Sequence, residues 1–331
     1  MRKVRVDADW HFHGLRAVIL ENEFLRAVIL PEVGARIQQL VYKPRDIGLI
    51  WSHPRIKPAR LPFGAGYDNA WCGGWDELFP NNIPENIVGD AYPDHGEVWA
   101  AEWDSRVGED GAKAFAKFSC RTPISDVAIE KTFSLCPGDH RLYASYVLRN
   151  CSQATLPILW NLHIALVVSE HHELAYPPMK VRLEPSFLGT LDGAPLDFTW
   201  PAVPMPHGTV DLRKIPSPSE QRTHFFYGHK FSEGWCGLTD TQTGLACGVA
   251  FDPKVFRSCW LFGSFGGWRN LSVAVMEPST GFPYEIARAV RDGTCPKFAP
   301  GEEIRTSVVF SVAESVARIR SITPEGEIVG C

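Results

Sequence analysis

Leu20-Glu21-Asn22-Glu23-Phe24-Leu25-Arg26-Ala27-Val28-Ile29-Leu30-Pro31-Glu32-Val33-Gly34-Ala35-Arg36-Ile37 places an aliphatic, β-branched run at 25–30 between an Asn-containing turn and a turn running from Pro31 to Gly34. That order of residue types reads as strand, turn, strand. Working outward, similar short runs recur at 15–20, 35–42, 113–120, 127–135, 142–149, 156–168, 235–239, 245–251, 271–276 and 304–312, punctuated by Gly, Pro, Asn and Asp. Helical candidates are few and short. The best is 284–291, which follows Pro283 and ends at Asp292-Gly293. The chain is therefore expected to be all-β, built of antiparallel strands. Two irregular stretches interrupt the pattern: 46–94, rich in Pro, Gly, Asn and Trp with no long strand, and 177–221, rich in proline and expected to form a lobe on the sheets. Loops of such length inside a domain are usually functional or carry local structure.

Composition limits what such a chain can do. With 331 residues, 45% of them hydrophobic, and 11 tryptophans, there is ample material for a large core, and no low-complexity linker marks a boundary. Because β-sandwiches run beyond about 200 residues as one unit, a single domain over 1–331 is expected. A net charge of −5, dispersed along the chain, argues against a nucleic-acid partner. No apolar run approaches the roughly 18 residues of a membrane span, and Met1-Arg2-Lys3-Val4-Arg5-Val6-Asp7 lacks the apolar segment of a signal peptide. A soluble, cytoplasmic protein without a membrane partner is expected, as monomer or homodimer. The nine cysteines are odd in number and never form a C-x-x-C pair, which fits buried, reduced thiols rather than a disulfide framework or a structural zinc site.

Three polar anchors stand out in strand-like stretches: Asp94-His95-Gly96, Asn161-Leu162-His163 and Met276-Glu277-Pro278. Two imidazoles and a carboxylate make a general acid/base set. Strand parity places Asn161 and His163 on one face with Leu159 and Ala165, and Trp160, Leu162 and Ile164 on the other, where they can fill a core. Glu277 shares parity with Val275 and Val273. The plainer readings are a hydrogen-bonded core histidine at 163, a turn residue at 95 and a solvated strand-end carboxylate at 277.

The order of these features resembles the galactose mutarotase-like superfamily, the aldose 1-epimerases and their hexose-phosphate relatives. The opening hairpin with its Pro31 and Gly34-Ala35 is similar to that of the family, and Gly73-Gly74-Trp75-Asp76-Glu77-Leu78-Phe79-Pro80-Asn81 resembles the Gly-Gly segment ending in Phe-Pro that borders the sugar site. His95-Gly96 matches the first family histidine, Asn161-Leu162-His163 the second, and Val275-Met276-Glu277-Pro278 the late strand with the glutamate. The likeness spans about 15–312. It implies a large antiparallel β-sandwich and an enzyme that interconverts sugar anomers by ring opening. In that enzyme Glu277 would be the base at O1, His163 the acid at the ring oxygen, and His95 a hydrogen-bonding partner of that oxygen. No metal or organic cofactor is implied.

Sugar sites pair aromatic platforms with polar side chains that take hydroxyl pairs. Arg36, Trp75, Asp76, Glu77, Asn81, Asn82 and Trp268 are candidates on that ground, and His229 and Asp252 lie where the family often places a further sugar contact. Asp252-Pro253 is also an ordinary turn starter. With no basic cluster near Gly73, a free aldose or uronate is the expected substrate. Other readings stay open, because the same sandwich carries binding modules, lyases and hydrolases. A glycosidase would pair Glu277 with Asp76, Glu77 or Asp252 at a separation the sequence does not give. A metal site at His11-Phe12-His13 or His171-His172-Glu173 is less favoured. The first pair precedes the sandwich, and the adjacent histidines of the second would face opposite sides of a strand.

Overall fold

In the computed structural model, which describes residues 4–331, Val127–Leu135 buries every second residue and half-exposes those between. This is the pattern of a strand with one face on a core. The chain packs as two compact units. One holds the described residues up to Ile164 together with Thr280–Val308, and the other holds Ala165–Ser279 and Val309–Cys331.

The first unit has two antiparallel sheets. The larger runs in the order Val4–Phe12, Leu15–Asn22, Leu25–Leu30, Arg36–Tyr42, Trp75–Leu78 and Asn161–Leu166. The other runs Arg141–Asn150, Val127–Leu135, Ala114–Arg121 and Asp104–Glu109. Leu15–Asn22 and Leu25–Leu30 form the hairpin read from the sequence, with Asn22 accepting from the backbone N–H groups of Phe24 and Leu25 to set the turn. Asn161–Leu166 pairs with Trp75–Leu78 so that His163 lies opposite Asp76 and Leu162 opposite Glu77. Alternation then sends the side chains of Trp75, Glu77, Leu162 and Ile164 to one face and those of Asp76 and His163 to the other. On the first face Trp75 meets Phe133 edge-on at 5.8 Å, and Glu77 meets Lys131 and Tyr146.

In the second unit the sheet order is Ser272–Ser279, Ser258–Phe265, Arg222–His229, Lys180–Leu183, Asp197–Thr199, Ala202–Met205 and Gly208–Asp211. A second sheet pairs His172–Ala175, Trp235–Asp240 and Ala246–Phe251. Gly237 and Gly248 leave room for Ile319 and Ile322, whose Cδ1 atoms would collide with a Cβ at either position. The stretch 177–221 thus supplies short edge strands and 3-10 turns.

Three expectations change. The run 156–168 is not one strand. Leu156–Pro157 and Asn161–Leu166 are separate, because Leu159 donates to the Pro80 carbonyl and Trp160 to Thr280 Oγ1 instead of continuing a ladder. The predicted helix is shorter, Ile286–Arg291. The segment 46–94 contains a full sheet strand, Trp75–Leu78, and a helical turn, Tyr67–Ala70. Among the described residues no helix is long and apolar enough to cross a membrane.

Candidate functional site

In the first unit, His163 is 7% exposed and its Nδ1 lies 3.1 Å from Asp76 Oδ1 and 3.1 Å from the Tyr67 hydroxyl. Tyr67 Oη is also 3.1 Å from Asp76 Oδ2 and donates to it. Arg36, across the strand ladder, is ion-paired with the same carboxylate at 3.1 Å. Asp76 thus receives a guanidinium, a phenol and an imidazole. Burial, the largest influence, would raise its pKa, but Arg36, then His163 and Tyr67, overcome it and hold Asp76 below the ordinary carboxylate range. Burial works against the charge of Arg36 too, yet Cys72 and Asp76 leave its pKa raised.

Tyr67 also reaches the other histidine. Its ring stacks on His95 with centroids 3.9 Å apart and planes 10° from parallel, and it meets His163 edge-on at 5.6 Å. Asp94 ties this arrangement together, since Oδ1 is 2.8 Å from His95 Nδ1 and Oδ2 accepts the Tyr67 backbone N–H at 2.9 Å. Trp71 closes a side of His163, edge-on at 5.4 Å. The result is two Asp–His pairs with one tyrosine between them.

His95 does not project from a strand. It sits in a turn at φ 58°, a left-handed conformation that His tolerates better than most residues, followed by Gly96 at φ 80°. Gly96 bridges to Phe79, and a Cβ at position 96 would overlap the Phe79 carbonyl. Gly96→Ala is therefore expected to lose more than about 2 kcal/mol of stability in urea unfolding. A variant as stable as the parent would refute this account of the turn.

The predicted sugar contacts divide. Asp76 belongs to the cluster as the partner of His163. Arg36 is 1% exposed and donates to the carbonyls of Val33, Gly73 and Trp99 as well as to Cys72 Sγ, so its donors are directed into the protein. Trp75 and Glu77 lie on the opposite, inter-sheet face and are not brought to the histidines. Asn81 donates to the carbonyls of Ile83 and Pro93 at 2.6 and 2.8 Å. Asn82 is buried and its amide nitrogen has no protein acceptor.

In the second unit, Glu277 is 4% exposed and lies opposite Trp260, which lies opposite Tyr227, which lies opposite Arg182. Directly opposed residues share a face, so these four form one row across the sheet. Tyr227 donates to Glu184 at 2.7 Å and meets Trp260 edge-on at 5.0 Å. His229 lies in the next row but one, opposite Ser258 and Lys180. Burial first, then Arg182 and Lys230, lower its pKa to about 4. Trp268 is half-buried, edge-on to Phe262 at 5.4 Å, with the Arg269 guanidinium 4.8 Å over its ring. Asp252 accepts the Lys254 N–H and starts a turn.

The sequence reading missed Tyr67 and Trp71, which sit in a segment without periodicity. Asp94 pairs with His95, a role that its place in a turn does not announce in the sequence. The strands of Tyr227 and Trp260 are interrupted by Gly228-His229 and Gly263-Ser264, which break the apolar runs that mark a strand.

No family model matches the sequence. Solved structures do match over nearly the whole chain. A galactose mutarotase-like protein from Clostridium acetobutylicum is 12% identical, with 95% of this chain and 100% of that chain covered and a TM-score of 0.67. This is the galactose mutarotase-like fold. Another similar structure with it is the galactose mutarotase related enzyme from Lactobacillus acidophilus, at 12% identity, 92% and 100% coverage and a TM-score of 0.63. Similar too is the Slr1438 protein from Synechocystis sp. PCC 6803, at 15% identity, 95% and 100% coverage and a TM-score of 0.66. Galactose mutarotase-like sandwiches host more than one chemistry, so function is argued from the side chains.

Proposed function

We propose that the protein is an aldose 1-epimerase-like enzyme that interconverts the α and β anomers of a free sugar. The observation that carries this reading is His163 held by an ionised carboxylate beside a second Asp–His pair, in a buried setting suited to proton transfer. Glu277, a buried carboxylate on a strand of the second unit, is the proposed base, a role taken from the resemblance. In the proposed step Glu277 takes the O1 proton, the O1 electrons form the carbonyl, the C1–ring-oxygen bond breaks, and His163 gives its proton to the departing ring oxygen. Rotation about C1–C2 and the reverse transfers close the ring on the other face. Neither step consumes a proton overall, and positioned acid–base groups supply about 10²- to 10⁴-fold in rate. His95 would hydrogen-bond the same oxygen.

Arg36 is engaged with protein acceptors, which favours a neutral aldose over a sugar phosphate or uronate at this cluster. The test is saturation-transfer NMR on free aldoses, uronates and hexose phosphates, with the intact protein and with Glu277→Gln. Accelerated anomer exchange that disappears in the variant is expected. Binding without exchange, or no response to any sugar, would overturn the proposal.

A further inference from the structure

We infer that Asp76 and Tyr67 are positioning residues that hold His163 as the Nδ1–H tautomer, so that every proton it exchanges with a ligand passes through Nε2. The role of that proton rests on the proposed function; the tautomer itself does not.

The argument is one of donors and acceptors. Asp76 is fully buried and ionised, and its Oδ2 is occupied by Arg36 and by the Tyr67 hydroxyl. Its Oδ1, 3.1 Å from His163 Nδ1, is an acceptor only, so Nδ1 must carry the hydrogen. Tyr67 Oη already donates to Asp76, which leaves its lone pair facing the same Nδ1–H. The titratable groups that the described residues of this unit bring to His163 include Asp76 from the paired strand, Tyr67 from the helical turn, Arg36 and the Cys72 thiol behind Asp76, and the Asp94–His95 pair behind Tyr67. Burial above all keeps the Cys72 thiol neutral.

In the acid step the Nε2–H bond breaks, its electron pair stays on Nε2, and the new O–H bond forms at the ring oxygen. What remains is neutral imidazole with Nδ1–H still on Asp76 and an Nε2 lone pair able to take the proton back on closure. One tautomer serves both directions. A carboxylate-to-amide change of this kind in a serine-protease triad leaves the geometry intact and gives the wrong tautomer.

Long-range ¹H–¹⁵N spectra of the full-length protein labelled at histidine, recorded across pH, read the tautomer without any sugar. The intact protein is expected to keep the Nδ1–H pattern once neutral. In Asp76→Asn, Arg36 orients the amide oxygen toward itself, the NH₂ faces Nδ1, and the tautomer inverts to Nε2–H. Exchange of sugar anomers should fall about tenfold or more, mainly in kcat. Tyr67→Phe keeps the stack on His95 and removes only the hydroxyl. It should raise the Nε2–H share, and it decides the matter should Asp76→Asn not fold. An Nε2–H tautomer in the intact protein, or no change in either folded variant, would overturn the inference. Absence of anomer exchange in the intact protein would instead count against the proposed reaction while the tautomer result stands.

Discussion

Lys131→Met is expected to lower the unfolding free energy by about 3–5 kcal/mol, and Lys131→Met combined with Glu77→Leu to recover much of that loss. Lys131 sits fully buried at the centre of the inward face of Val127–Leu135. Its ammonium donates to the Gly34 carbonyl at 2.9 Å and to the Glu77 carboxylate, and it lies 4.6 Å over the Trp103 ring. The other Glu77 oxygen accepts from the Tyr146 hydroxyl at 3.0 Å. Burial, the largest influence on both, pushes Glu77 up and Lys131 down, each toward neutrality, and their mutual attraction with these hydrogen bonds opposes that push. Removing the lysine alone leaves a carboxylate in the core with one phenolic donor, and that orphan accounts for most of the cost. Removing both partners takes away the orphan as well as the bond, which is why the double variant should be milder. Urea unfolding of the parent, both single variants and the double variant closes the cycle. A Lys131→Met loss under about 1 kcal/mol, or a double variant worse than the sum of the singles, would contradict this view. The same pair matters to the site. Glu77 adjoins Asp76, so fixing one on the inter-sheet face fixes the other toward His163.

Lys131 also marks how far the sequence could be read. In 127–135 the alternate residues Val, Ile, Lys, Phe and Leu show one charge on an otherwise apolar face, and a charge at a core position announces a buried partner. The identity of that partner was hidden, because Glu77 comes from a segment 54 residues away. Strand parity read for His163 matches the structure: Leu162 and Ile164 oppose Glu77 and Trp75 on the inter-sheet face, and His163 opposes Asp76 on the other. Strands with clean punctuation, such as Leu25–Leu30 and Val127–Leu135, were legible to the residue. Ser258–Phe265 was not. It is buried almost throughout, so it lacks alternation, and its Gly263 and Ser264 break the apolar run. Tyr67 had no signal at all. Its importance comes from a single turn of helix that meets Asp94 through its backbone, Asp76 and His163 through its hydroxyl and His95 through its ring. Convergence of that kind is a property of the folded chain, and no spacing encodes it.

The second large effect concerns acid. His224, in the second unit, is 2% exposed, packs edge-on to Phe265 at 5.5 Å, and has no hydrogen-bond partner at either ring nitrogen. Burial first, and then the Arg222 charge, lower its pKa from 6.5 to about 4, with Glu220 opposing weakly. The folded protein therefore keeps this ring neutral at pH values where the unfolded chain binds a proton. Between about 6.5 and 4 the unfolded state holds more protons, so stability is full above this window and falls as pH drops through it. Below about 4 both states are protonated and the slope from this residue vanishes. At about 1.4 kcal/mol per pH unit, the gap between 6.5 and about 4 amounts to about 3 kcal/mol. His172 and His229, both half-buried, are lowered in the same direction, so they steepen the same limb. His224→Leu removes a titrating group without leaving a polar orphan. It is expected to match or exceed the parent in stability near pH 7 and to lose close to one proton's worth of slope between pH 6 and about 4.5. Urea unfolding at several pH values measures that slope directly. Parallel curves for parent and variant would mean that His224 is protonated equally in the folded and unfolded chains, and that the acid limb arises elsewhere.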